Sequence, residues 1–82
     1  METRILIAED DPRLREVLCD YFASKGVRPI EAEHGAQALE WAEIQEFDAV
    51  LLDIMMPKLD GRSVCRALRR TQDVPILFLL SL

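Results

Sequence analysis

Short, wholly apolar runs alternate along this chain with stretches whose apolar residues recur every three to four positions. That is the pattern of repeated strand–helix units feeding a parallel sheet. Ile5-Leu6-Ile7-Ala8 suits a strand buried on both faces, and it stops at Glu9-Asp10-Asp11. Asp11 followed by Pro12 reads as an N-cap and first helical position, after which Leu14, Val17, Leu18, Tyr21 and Phe22 mark one helical face. This helix ends at Lys25-Gly26. Val27 to Ala32 is a second strand; Pro29 inside it cannot donate to a ladder, which puts the strand at a sheet edge. Gly35 opens a second helix with Ala38, Leu39 and Ala42 on one face, closing near Glu46. Ala49-Val50-Leu51-Leu52 is a third strand and ends in Asp53. The loop from Ile54 to Asp60 carries Pro57 and the Asp60-Gly61 turn signal. A third helix is predicted over about residues 62–70, with Val64, Cys65 and Leu68 inward and Arg69-Arg70 at its negative C-terminal end. Val74 to Leu80 makes a fourth strand, with Ile76, Phe78 and Leu80 on one face and Leu77 and Leu79 on the other.

The length of 82 residues allows one domain with one core. A domain of that size buries only about 60% of the surface its unfolded chain exposes. Ten Lys and Arg against fifteen Asp and Glu give a net charge of -5 with no basic run, which argues against direct binding to nucleic acid. The longest apolar run falls short of the roughly 18 residues of a membrane span and contains Pro75, and the acidic N-terminus does not read as a signal peptide. A cytoplasmic protein without a membrane span is expected. Cys19 and Cys65 lack metal-ligand spacing and read as free thiols that pack helices.

Ligands of open parallel sheets bind outside the carboxyl ends of the strands, and here those ends are acidic. Glu9 and Asp10 terminate the first strand and Asp53 the third; right-handed crossovers can place these strands side by side. Three oxygen donors with no His or Cys among them suit Mg²⁺, and a carboxylate beside a divalent ion is a competent phosphoryl acceptor. Acidic residues at strand ends also serve as helix caps or solvated charges, the reading given to Asp11. Composition and spacing alone leave both readings open for Glu9, Asp10 and Asp53. His34, the only histidine, reads as a solvated loop residue, and Arg13 and Arg15 as exposed helix charges. Met55, Met56 and Trp41 read as packing or loop residues.

The string LLDIMMPKLDG at 51–61, with ILIAEDDP near the N-terminus and VPILFL in the fourth strand, resembles the response-regulator receiver domain of two-component signalling. The resemblance covers the whole chain, and Asp53-x-x-Met56-Pro57-x-x-Asp60-Gly61 is its most specific part. It implies that Asp53 accepts a phosphoryl group from a sensor histidine kinase. It further implies that Glu9 and Asp10 bind Mg²⁺ with Asp53, the Met55 backbone carbonyl adding a fourth ligand. The fold implied is α/β, an incomplete doubly wound, flavodoxin-like parallel sheet of order 2-1-3-4.

Two departures accompany the resemblance. Receivers carry Thr or Ser five positions after the fourth-strand proline, where this chain has Leu80; Ser81 is one residue late and so points the other way along a strand. The sequence also stops before the fourth helix, the fifth strand with its phosphate-contacting lysine, and the fifth helix. Residues 1–82 are therefore expected to be a C-terminally truncated receiver, a phosphoacceptor with impaired autophosphorylation rather than an enzyme. The exposed fourth-strand edge suggests a homodimer. The alternatives are a phosphorylation-impaired binding or self-association module and, more weakly, a Mg²⁺-dependent phosphohydrolase, which would want an acid/base group where Met55 stands.

Overall fold

The central strands can be apolar throughout because protein covers both of their faces. The computed structural model describes residues 2–80. Its elements are β1 (Arg4–Ala8), α1 (Pro12–Ser24), β2 (Arg28–Ala32), α2 (Gly35–Ile44), β3 (Ala49–Asp53), α3 (Gly61–Arg69) and β4 (Ile76–Leu79). All neighbours are parallel and the order is β2-β1-β3-β4, the α/β doubly wound arrangement expected. Pro29 lies in the edge strand β2, where its missing N–H costs no ladder bond.

Alternation along the strands divides the core in two. Leu6, Ala8, Val50 and Leu52 point to the side covered by α2 and α3, where they meet Ala38, Val64 and Leu68. Ile5, Ile7 and Leu51 point to the other side and meet Leu18, Cys19 and Phe22 of α1. Each fully buried aliphatic side chain contributes about 1.5–3 kcal/mol. Cys19 and Cys65 are free and half-buried against these clusters, and Trp41 packs on the α2–α3 side.

Several local expectations are corrected. Asp53 ends β3 as expected, whereas α3 begins at Gly61, one residue earlier than expected. Asp60 caps α3, its Oδ1 accepting the Ser63 N–H at 2.9 Å. β4 is shorter than the apolar run: Val74 joins the core, Pro75 contributes only its carbonyl to the Val50 N–H at 2.9 Å, and Leu80 lies past the strand. His34 is solvent-exposed but caps α2, its Nδ1 accepting the Gln37 N–H at 3.1 Å. Asp11 caps α1 as expected, accepting the Arg13 N–H at 2.9 Å.

The largest correction concerns the rotation of α1. Val17 and Tyr21 are 63% and 55% exposed, because the helix turns Leu14, Arg15, Leu18, Cys19 and Phe22 inward instead. Tyr21 is left to pack edge-on against Phe22, ring centroids 5.3 Å apart, with Lys25 Nζ 5.6 Å from its own centroid. The inward arc is as wide as the one expected but turned toward Arg15 and Cys19, with Arg15 held there by the Glu9 carbonyl and Glu31.

Gly61 sits against the backbone of Asp53, and its N–H donates to the Ile54 carbonyl at 3.2 Å. A Cβ there would press on the Asp53 carbonyl oxygen and come within 3.0 Å of Ile54 Cα, so backbone rather than a flexible side chain has to yield. Gly61→Ala is expected to lower stability by about 1–3 kcal/mol in urea unfolding. An unchanged midpoint would show that the β3–α3 loop gives way freely.

Candidate functional site

Register decides which acidic residues meet. β1 and β3 pair with Ala8 opposite Leu52, so Glu9 and Asp53, the next residue on each strand, emerge side by side at the sheet's C-terminal edge. Both are on the α1 side by alternation, and both are buried, at 2% and 3% exposure. Asp10 follows in the β1–α1 loop and is exposed. Glu9, Asp10 and Asp53 each place one carboxylate oxygen so that all lie within 4.8 Å of one another. These are the three carboxylates singled out from sequence.

Two buried carboxylates at this distance cannot both carry charge cheaply. Burial, together with hydrogen bonding to Asp53 and Asp10, pushes the Glu9 carboxyl up to about 8 from 4.5. The Asp11 N–H, donating to Glu9 Oε2 at 3.4 Å, opposes that shift. Asp53 is oriented from the other side, its Oδ1 accepting the Met55 N–H at 3.0 Å. The Met55 side chain is exposed while Met56 is buried in the core. An open cleft of about 600 Å³ beside Asp10, walled by Ile54, Met55, Pro57, Asp60 and Arg62, gives solvent access.

The donor set fits a hard divalent cation. All three side chains offer oxygen, and two are desolvated and mutually repelling. The third faces water, so ligands from solvent complete a shell. Mg²⁺ matches such a site better than a metal that prefers nitrogen or sulfur.

Sequence reasoning missed Arg15. It reads as an exposed charge from its helical position, yet its side chain is only 11% exposed. Its Nη1 donates to the Glu9 carbonyl at 2.7 Å, its Nε to Glu31 Oε1 at 3.2 Å, and its Nη2 lies 3.8 Å from Glu33 Oε1. The available signal was the alternative helical stripe of Leu14, Leu18 and Phe22, which carries Arg15 with it. Arg13 is exposed as expected. Leu80, where a hydroxyl was looked for, is 69% exposed, and Ser81 lies outside the described residues.

Residues 5–81 match the family model described as the response regulator receiver domain. The transcriptional activator protein PfeR of Pseudomonas aeruginosa is 46% identical over 79 residues, which is 96% of this chain and 26% of PfeR. The chain thus spans about a quarter of that curated relative. The crystal structure of response regulator protein TrrA from Thermotoga maritima, in complex with Mg(2+)-BeF, superposes with a TM-score of 0.92 at 33% identity, covering 98% of this chain and 70% of that one. A chain in the crystal structure of histidine kinase ThkA in complex with TrrA gives a TM-score of 0.90 at 34% identity, covering 96% and 69%. Among the described residues no helix is long and apolar enough to cross a membrane.

The raised Glu9 carboxyl makes stability fall with pH. Below pH 4.5 Glu9 is protonated whether folded or not; between 4.5 and about 8 the unfolded chain ionises while the folded one keeps its proton. The stability so conferred is complete below 4.5 and is lost as pH rises through about 8. In metal-free buffer the stability difference between wild type and Glu9→Gln should therefore shift against wild type across that window. Parallel pH profiles in urea unfolding would refute the assignment.

Proposed function

Because the chain belongs to the response regulator receiver family, we propose that it is a phosphoacceptor in two-component signalling, taking a phosphoryl group on Asp53 from a sensor histidine kinase in the cytoplasm. The observation that carries this reading is the burial of Asp53 beside Glu9 and Asp10 at the C-terminal edge of β1 and β3. Glu9, Asp10, Asp53 and the Met55 backbone carbonyl hold Mg²⁺ in this reading. The ion supplies neutralisation of charge on the transferring phosphoryl oxygens. Asp53 supplies the attacking carboxylate oxygen: its bond to phosphorus forms as the donor's bond to phosphorus breaks. The Met55 N–H fixes the carboxylate plane, and the cleft beside Asp10 admits the donor. The kinase-bound neighbour supports a histidine kinase as that donor. The chain is an acceptor rather than an enzyme, and nothing in its net charge of -5 favours direct contact with nucleic acid.

Leu80 favours a second reading, a phosphorylation-impaired module for binding or self-association. It presents an exposed apolar side chain where the family resemblance calls for a hydroxyl. A charge-assisted contact of that kind is worth about 1.5–3 kcal/mol, or at least roughly tenfold in the level of phosphorylation. In the 82-residue chain β4 also has one unpaired edge among the described residues, with Leu77 and Phe78 exposed. Two copies related by a two-fold axis pair such edges antiparallel.

Intact-mass measurement after incubation with acetyl phosphate and Mg²⁺ tests the first reading. Wild type should gain one phosphoryl increment, Asp53→Asn none, and Leu80→Thr a higher occupancy than wild type. An increment retained in Asp53→Asn would overturn the assignment of Asp53; none in either wild type or Leu80→Thr would leave the second reading.

Sedimentation of the 82-residue chain across micromolar concentrations tests self-association. A dimer dispersed by charged substitutions at Phe78 and Leu80 is expected, and a single monomeric species throughout would exclude pairing through β4.

A further inference from the structure

Arg15 pairs with Glu31 and Glu33 and forms no ion pair with Glu9, Asp10 or Asp53, although its guanidinium bonds the Glu9 carbonyl. We propose that Arg15 is a positioning residue for the acidic centre: by clamping the Glu9 carbonyl to the end of β2, it fixes the peptide that places Asp10 beside Glu9 and Asp53. The inference rests on the reading of these three carboxylates as a Mg²⁺ site.

The peptide groups of Glu9 are held from both directions. Its N–H donates to the Ala32 carbonyl at 3.1 Å, the last bond between β1 and the end of β2. Its carbonyl accepts Arg15 Nη1 at 2.7 Å. That second bond sets the plane of the Glu9–Asp10 peptide. Asp10 is the member of the cluster with no burial to hold it, so the orientation of this peptide governs where its carboxylate starts. Arg15 can act as a clamp because its fork reaches in separate directions: Nη1 to the β1 end, Nε to Glu31 on β2, and Nη2 toward Glu33 just beyond it. A lysine in this place would offer one point charge and no rigid fork.

Position and charge predict opposite signs. Were Arg15 only a nearby cation, removing it would relieve repulsion of Mg²⁺ and tighten binding. As a clamp, its removal loosens the loop and weakens binding. Losing a supporting contact to a metal ligand costs about ten- to hundredfold in affinity.

Calorimetric titration with Mg²⁺ alone, at a temperature where every variant is folded, should show Arg15→Met binding about ten- to hundredfold more weakly than wild type, with Arg15→Lys in between. Equal or tighter binding by Arg15→Met overturns the proposal. A second readout needs no metal. Amide hydrogen exchange in Arg15→Met, and in Arg15→Lys should the former not fold, is expected to accelerate at Glu9 and Asp11 and to remain unchanged in β3. Unchanged exchange at Glu9 and Asp11, or acceleration spread evenly across the sheet, counts against a clamp. Failure of the wild type to bind Mg²⁺ would instead remove the metal reading, while the exchange comparison still decides whether Arg15 holds the loop.

Discussion

Glu9 and Asp53 are two carboxyl groups buried side by side, and the cost of burying their charge is the constraint around which the rest of this small fold is arranged. The parallel pairing of β1 with β3 makes the juxtaposition unavoidable, since Ala8 lies opposite Leu52 and each strand continues into its acidic residue. The same pairing carries the core, so the chain cannot separate the charges without giving up buried Leu6, Ile7, Val50 and Leu52. One carboxyl answers by holding a proton until about pH 8. A divalent cation answers the same difficulty by another route, which is why a site costly to leave empty of charge compensation is suited to binding one.

The neighbourhood of the pair consists of devices that hold backbone rather than add charge. The Met55 N–H orients Asp53, the Asp11 N–H reaches Glu9, and Gly61 lies so close to the Asp53 carbonyl that no side chain fits between. Arg15 reaches the Glu9 carbonyl, but its charge is already matched by Glu31 and Glu33. A site built this way keeps its geometry while leaving its net negative charge available to a cation.

The two edges of the sheet differ in kind. β2 carries Arg28, Pro29 and Glu31, polar or non-donating residues that discourage pairing with another strand. β4 carries Leu77 and Phe78 exposed to solvent beside a core that small chains can ill afford to leave uncovered. Curated relatives and solved neighbours are longer than the part this chain matches.

The sequence by itself determined the strands, the edge position of the second and the acidic ends, because those follow from local rules, while the full strand order came with the family resemblance. A continuous apolar run has to be buried on both faces, a proline without an N–H has to lie at an edge, and an acidic residue ends the run where the sheet meets water. Family resemblance in residues 51–61 then picked out Asp53 from the other carboxylates. Tertiary structure decided what periodicity leaves undefined. A stripe of apolar residues on α1 fixes which side chains share a face but not how far the helix turns about its axis; packing against β1 and β2 turned Val17 and Tyr21 outward and Arg15 inward. Local spacing likewise could not show that His34 caps α2, since its Nδ1 becomes an acceptor only once the backbone before Gly35 is extended. The meeting of Glu9 with Asp53 depends on the β1–β3 register, a relation between segments more than forty residues apart that only the folded sheet establishes.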